Sequence, residues 1–323
     1  MSFVRYATDD SVISSETVVR GMWTNDTASL TTFFTSSTST SSYYLNVYNT
    51  QATSSLQFAV QYAHVSGSGS APLNTSVASN TPTRIVYGQY RSLIYNDENA
   101  SFVFGTQTSP NFTVINIARS RYKESIKPGS LTLRLSGSGA GLTTLVLTDD
   151  SIASGSITNY IGSNRYYSLV SGSAGAVTSS RAGASGSYGL LFPDLGVILL
   201  NSSALAQTSS EGGINLATGS VALYNAISGS GASSFTLQSE ETVSSRYFFT
   251  RVKNSDFNYT TNPSIINNSG SLLYDTLINN PQTYVTTVGM YNDNNELLAV
   301  AKLSKPLVKD FTKEALVRVK LDF

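Results

Sequence analysis

The chain has 323 residues, with 20 Lys+Arg matched by 20 Asp+Glu, only 12% charged residues, no cysteine and one histidine. A typical globular chain carries about twice that charged fraction, so the surface is electrically quiet and poorly protected against self-association. The missing cysteines exclude disulfides, thiolate metal ligands and cysteine nucleophiles, and the lone His64 excludes a multi-histidine metal cluster.

Along the chain, "MSFVRYATDD" carries Arg5, Asp9 and Asp10 without an apolar h-region, so no signal peptide is expected. No apolar run approaches the roughly 18 residues of a spanning helix, and no membrane partner is expected. "YYLNVYN" (43–49) and "LQFAVQYAHV" (56–65) alternate apolar and polar residues, the pattern of half-buried strands, and "SGSGSAP" follows as a loop. "TRIVYGQYRSLIY" (83–95) and "SFVFG" (101–105) read as strands around an "NDENA" turn. "NFTVINIARSRY" (111–122) is a strand whose end delivers Arg119, Arg121 and Lys123, with Lys127 just beyond. "LTLRL" and "TTLVLTDD" form a hairpin across "SGSGAG".

Residues from about 131 to 235 are rich in Gly, Ser and Ala, a composition suited to loops or to sheets whose small side chains let backbones approach. Helix signals are few: one turn within "GLLFPDLG" (189–196) and a short helix within "SLLYDTLINN" (271–280), ahead of Pro281. "TYVTTVGMY" and "ELLAVAKL" flank "NDNN" as a hairpin, which Pro306 is expected to close. "LVRVKLDF" then puts Val317, Val319, Leu321 and Phe323 on one face of a last strand. The fold class expected is all-β: antiparallel sandwich-like or barrel-like domains joined by Gly/Ser-rich loops, with little helix. The expected divisions are an N-terminal β region and docking segment (1–82), a main β domain (83–130 plus 246–323) and an inserted Gly/Ser-rich subdomain (131–245).

Chemistry-bearing patterns are sparse. A histidine base needs a nucleophile and an orienting partner, and neither is visible around His64. Asp149-Asp150 and Glu240-Glu241 read as turn caps, since neighbours on a strand point to opposite faces and make a poor acid–base pair. "GSGAGL" (137–142) departs from the dinucleotide fingerprint at Leu142, and a strand follows it. Neither a catalytic site nor a metal or cofactor site is expected. Four local cations on a neutral chain, followed by Glu124, fit salt bridging better than nucleic-acid binding, which draws on a broad positive field. Trp23, in "RGMWTND", fits a core residue or an interface anchor equally.

The segments "VYGQYRSLIYNDENASFVFG", "INIARSRYKESIKPGSLTLRL", "YGLLFPDLGVILLN", "YFFTRVKNSDFNYTTNPSI" and the C-terminal "QTYVTTVGMYNDNNELLAVAKLSKPLVKDFTKEALVRVKLDF" carry a resemblance. They resemble virion structural proteins of contractile-tailed phages, the myoviruses of cyanobacteria and other marine bacteria. The resemblance covers roughly residues 84 to 323. It implies a non-enzymatic building block of the virion, put together in the host bacterial cytoplasm. Such a block would be copied around a symmetry axis, associated with tail or baseplate, and partnered by itself and by other virion proteins. A neck, collar or head-decoration position, or a glycan-binding adhesin module on a fibre, is the alternative. By position, Arg119, Arg121, Tyr122 and Lys123 are interface candidates, as are Phe257, Asn258, Tyr259, Asn262 and Pro263; a well-packed turn within one subunit is the competing reading of the second group. The first ~80 residues lie outside the resemblance and are a candidate docking region.

Overall fold

The computed structural model describes residues 4–30, 32–35, 43–49, 54–72, 76–77, 80–137, 144–153, 158–179, 186–206, 214, 216, 219–231, 233–258 and 262–323. The chain divides into two compact units. Unit 1 is Met1–Thr17 with Thr242–Phe323, and unit 2 is Val18–Glu241.

In chain order the elements begin with β1 (Ser11–Gly21), β2 (Thr32–Thr35), β3 (Tyr44–Tyr48), β4 (Leu56–His64), α1 (Pro82–Tyr95), β5 (Val103–Phe104), β6 (Gln107–Thr108) and β7 (Asn111–Ile117). β8 (Ser125–Ile126), β9 (Thr132–Leu135), β10 (Leu145–Asp149), β11 (Asn159–Ile161), β12 (Asn164–Ser173), β13 (Ala176–Ser179), β14 (Gly189–Phe192) and β15 (Val197–Asn201) follow. The last are α2 (Ser202–Leu205), α3 (Ser220–Ser228), β16 (Phe235–Thr236), β17 (Gln238–Val252), α4 (Thr276–Asn279), β18 (Thr283–Tyr291), β19 (Leu297–Lys309) and β20 (Ala315–Asp322). The mainly antiparallel β class is as expected.

Unit 2 is built on one sheet in the order β16-β9-β10-β12-β14-β15-β7-β4-β3-β2, with β11 and β13 joined to β12. Its middle is buried on both faces, so the alternation of β7 separates two cores. Phe112 and Val114 pack toward α1 with Tyr87, Tyr90 and Phe102. Ile115 and Ile117 point the other way, into the cluster that holds α3 residues Leu223 and Ile227. The sheet curls around that second cluster. Phe58 on β4 and Phe235 on β16 lie near opposite ends of the strand order, yet their rings meet edge-on at 5.2 Å. Each such side chain contributes roughly 1.5–3 kcal/mol on burial.

Unit 1 has a three-stranded sheet segment, β1-β17-β20, and the separate hairpin β18–β19. Its core is small: Met290, Val317 and Val319 are buried, with Tyr6, Phe248 and Leu307 half-buried around them.

Four sequence expectations are corrected. Residues 83–95 are helix, not strand: Pro82 sits at the first turn, and Val86, Tyr87, Tyr90 and Ile94 recur at helical spacing on one buried face. Asn96 ends the helix in the left-handed region at φ 53°, its N–H bonded to Ser92 O. The single helical turn expected in 189–196 is instead the tight β14–β15 hairpin, with Phe192 paired to Val197. Pro306 lies inside β19 rather than beyond it. Val285 pairs with Leu307 and Thr287 with Lys302, so the proline falls where the ladder is interrupted and its missing N–H breaks no regular pairing. Finally, the divisions expected at 82/83 and 130/131 fall inside unit 2, because β4, β7 and β9 belong to one sheet.

Candidate interaction surface

The basic segment is engaged inside unit 2. Ala118 leads out of β7 into a 3-10 turn at Arg119–Arg121. There Arg119 donates to Tyr122 O at 2.9 Å, and its guanidinium lies 4.5 Å above the Tyr122 ring. Arg121 donates through Nε to Leu56 O at 3.0 Å and through Nη2 to Ser55 Oγ at 2.7 Å, clamping the start of β4. The Lys123 ammonium stands 2.8 Å from a Glu241 carboxylate oxygen, and Arg20 stands 3.5 Å from the other. Lys123 thus makes the salt bridge expected of it. Burial pushes the Tyr122 hydroxyl up, with Arg119 opposing it.

Trp23 and Tyr122, put forward as interface side chains, are only 4% and 6% exposed and pack in the larger core of unit 2. Trp23 stacks between Phe58 and Phe235, at 6.1 and 5.7 Å. This supports the core reading of Trp23 and places the Tyr122 ring in the same core. The turn-cap reading of Glu240-Glu241 is corrected. Both sit in β17, and the pleat sends Glu241 to Lys123 and Arg20 while Glu240 accepts from Ser125 Oγ at 3.2 Å and faces Arg165 at 3.8 Å. Asp149 does act as a cap: its Oδ2 accepts from Gly129 N–H at 2.6 Å and from Ser151 Oγ.

The second candidate segment belongs to unit 1 and organises a turn. Lys309, wholly buried, donates from Nζ to Asn254 O at 2.9 Å, Asn258 Oδ1 at 2.8 Å and Asp310 O at 3.0 Å. Asn258 in turn donates from Nδ2 to Asn254 O. These bonds support the within-subunit turn for Asn258, which is 8% exposed. Between them Phe257 is held at φ 57°, a left-handed conformation that a bulky residue adopts only under surrounding constraint, and its carbonyl accepts from Thr283 Oγ1 at 2.6 Å. Its ring is 37% exposed. Asn262 and Pro263 are exposed, and Asn262 Oδ1 accepts from Ser264 N–H. Tyr259 lies outside the described residues. Sequence reasoning missed Lys309, although the inward parity of Ala299, Ala301, Leu303 and Leu307 along β19 runs directly to it.

Unit 1 exposes several large apolar side chains. Ile13, Tyr284, Leu298, Val300, Leu316 and Phe323 are all more than half exposed. A groove of about 1350 Å³ lies within the unit, lined by Tyr6, Phe257, Val288, Met290, Phe311 and Val317 among others. Arg5 and Asp293 pair at 3.6 Å on its border. Both outer strands of the sheet segment, β1 and β20, have one side without a strand neighbour among the described residues.

Among the described residues, no group of three or more His, Asp or Glu side chains is placed to hold a metal ion. His64 Nδ1 accepts from Ser66 N–H at 3.1 Å and lies 3.0 Å from Ser66 Oγ, a turn two residues long. No helix among the described residues is long and apolar enough to cross a membrane. Comparison with family models, with characterised proteins and with solved structures gives no match for this chain.

Proposed function

We propose that the chain is a non-enzymatic structural component of a tailed-phage virion, associated with tail or baseplate, that assembles with copies of itself and with other virion proteins. The observation that carries this reading is the contrast between the units. Unit 2 closes its apolar side chains into two cores, whereas unit 1 buries few and leaves open strands and large apolar side chains in contact with water. Exposed apolar surface of this kind marks interaction sites, and the low charge of the chain removes the usual repulsion between copies. The sequence resemblance supplies the virion setting.

Light scattering on the size-exclusion eluate of the full chain, together with mixing into purified particles that lack it, tests the proposal. Multimers and uptake into particles are expected. A strictly monomeric chain that particles do not take up would remove it. A neck or head position differs only in location, which immunogold labelling of virions decides. The exposed rings of Tyr274 and Tyr284 favour, as a second reading, a sugar-stacking adhesin surface, and uniformly blank glycan arrays would dismiss it.

A further inference from the structure

Unit 1 ends in two open strands, and they differ in character. β1 is exposed on both faces from Val12 to Thr17, with Val12 at 52% and Ile13 at 69%. An edge strand is normally blunted by a proline, a bulge or an inward charge; residues 11–17 contain no proline, and their one charged residue is Glu16. β20, at the other edge, buries Val317 and Val319 and turns Leu316, Arg318 and Lys320 outward. Each edge offers backbone N–H and C=O groups that a further strand can satisfy.

We propose that a second copy of this chain occupies these edges, β1 of one copy adding to β20 of the next and continuing the sheet. The proposal rests on the reading that the chain assembles with itself, and names the surface used. Direction and face are fixed by the strands. β20 runs antiparallel to β17. β1 does likewise, since Ser11 accepts from Arg246 while Met22, just past its end, bonds Leu237. The two edges therefore run parallel, and one copy can follow another in the same sense.

Ser11, Arg246 and Leu321 share one face, and Glu16 acts electrostatically on Lys320 from the other. Even-numbered residues of β1 and of β20 thus point the same way. A parallel register that sets Val12 beside Leu316 then sets Ile13 beside Val317 and Glu16 beside Lys320. Apolar residues meet apolar ones, and the only charge of residues 11–17 meets a cation.

The same charges argue against self-pairing of either edge. A two-fold β20–β20 contact centred on residues 318–320 brings Arg318 against its own copy, Arg318 against Lys320, or Lys320 against its own copy. A two-fold β1–β1 contact confined to residues 11–17 gives Glu16 no cation, and one centred on Val18 sets it against Arg20, which Glu241 already engages at 3.5 Å. What remains is head-to-tail addition, which generates a ring where the rotation closes and a filament where it does not.

The chain has no cysteine, so Glu16→Cys with Lys320→Cys gives a clean test. Within one copy these positions are two strands apart, roughly 10 Å by strand spacing, beyond the approximately 7 Å limit for a disulfide. Mild oxidation of the double variant is expected to give a covalent ladder on denaturing gels. Each single-cysteine variant should give none, and a mixture of the two should give dimer alone. A double variant that assembles by light scattering yet forms no ladder would overturn the edge pairing while leaving self-assembly intact. A wild-type chain that stays monomeric at every concentration would overturn both.

A charge exchange gives an independent arm. Glu16→Lys and Lys320→Glu should each lower the assembled fraction, and mixing the two should restore it, since every junction in an alternating ring regains opposite charges. Assembly equal to wild type in both separate variants would reject the proposed register.

Discussion

The Lys309 ammonium is buried 2.8 Å from Asn258 Oδ1, and this contact joins the last residue of β19 to the turn that carries Phe257. Its other partners are backbone oxygens of Asn254 and Asp310, so one side chain satisfies three acceptors. Lys309→Met keeps the length but strands those acceptors, and the stability of unit 1 should fall by about 3 kcal/mol. Asn258→Ala should cost less, roughly 1–2 kcal/mol, since two acceptors remain. Hydrogen exchange of amides 254–258 and 307–310 is the appropriate readout, because the single tryptophan, Trp23, reports on unit 2. Unchanged exchange in Lys309→Met would show that the turn is held by other contacts.

Gly189 predicts an opposite pair of outcomes in unit 2. A methyl group added there would lie 2.1 Å from Leu199 O and 2.8 Å from Leu169 Cδ1, so β14 would have to part from β15. Gly189→Ala should destabilise unit 2 by roughly 2–3 kcal/mol. Gly88, in the interior of α1, has open space around the same position. Gly88→Ala should stabilise by about 0.5–1 kcal/mol through helix propensity alone. Urea unfolding followed by Trp23 emission measures both, and equal effects would contradict the packing described.

These two glycines show where the sequence was legible. The composition of the Gly/Ser-rich middle suits loops or sheets whose backbones approach closely, and Gly189 against Leu199 is an approach of the second kind. Strands such as β20 and the β18–β19 hairpin were legible because alternation with period two is a strong local signal. α1 was not, because β-branched and aromatic residues fill it, and its preference was overridden by packing of Tyr87 and Tyr90 on β7 residues. The curl that brings Phe58 to Phe235 depends on strand order, which no local pattern carries. The same limit hid the roles of Trp23 and Lys309. Their residue types were visible, but burial is decided by segments far away in sequence.

Trp23 allows that distinction to be measured. Its indole N–H is buried without a hydrogen-bond partner, so the ring contributes through packing against Phe58 and Phe235. Trp23→Phe should therefore change stability by less than about 1.5 kcal/mol, whereas Trp23→Ala should remove roughly 3–5 kcal/mol. Neither change should alter self-association of the folded chain in light scattering. A Trp23→Phe variant that folds normally but dissociates would restore the anchor role.

The units should also respond to acid in different ranges. In unit 2, burial lowers the affinity of His64 for a proton, and its Nδ1 already accepts from Ser66 N–H. The unfolded chain therefore binds that proton more readily. The stability of unit 2 is full above the ordinary histidine value of about 6.5, declines as pH falls below it, and levels off beneath the folded value. His64→Gln should abolish that slope in urea unfolding followed by Trp23 emission between about pH 8 and 5. In unit 1 the Thr312 hydroxyl holds the Asp310 carboxyl below the usual range, with Lys313 beside it, and Ser245 and Lys320 do the same for Asp322. For these groups the folded state binds the proton less readily, so their contribution is present above the ordinary aspartate value of about 3.9 and lost as pH falls through the folded values. Carbon NMR titration of the two carboxyls should give midpoints below that value, and Ser245→Ala should raise the Asp322 midpoint while leaving Asp310 unchanged. A midpoint for Asp322 that does not move in Ser245→Ala would rule out the hydroxyl as the principal cause.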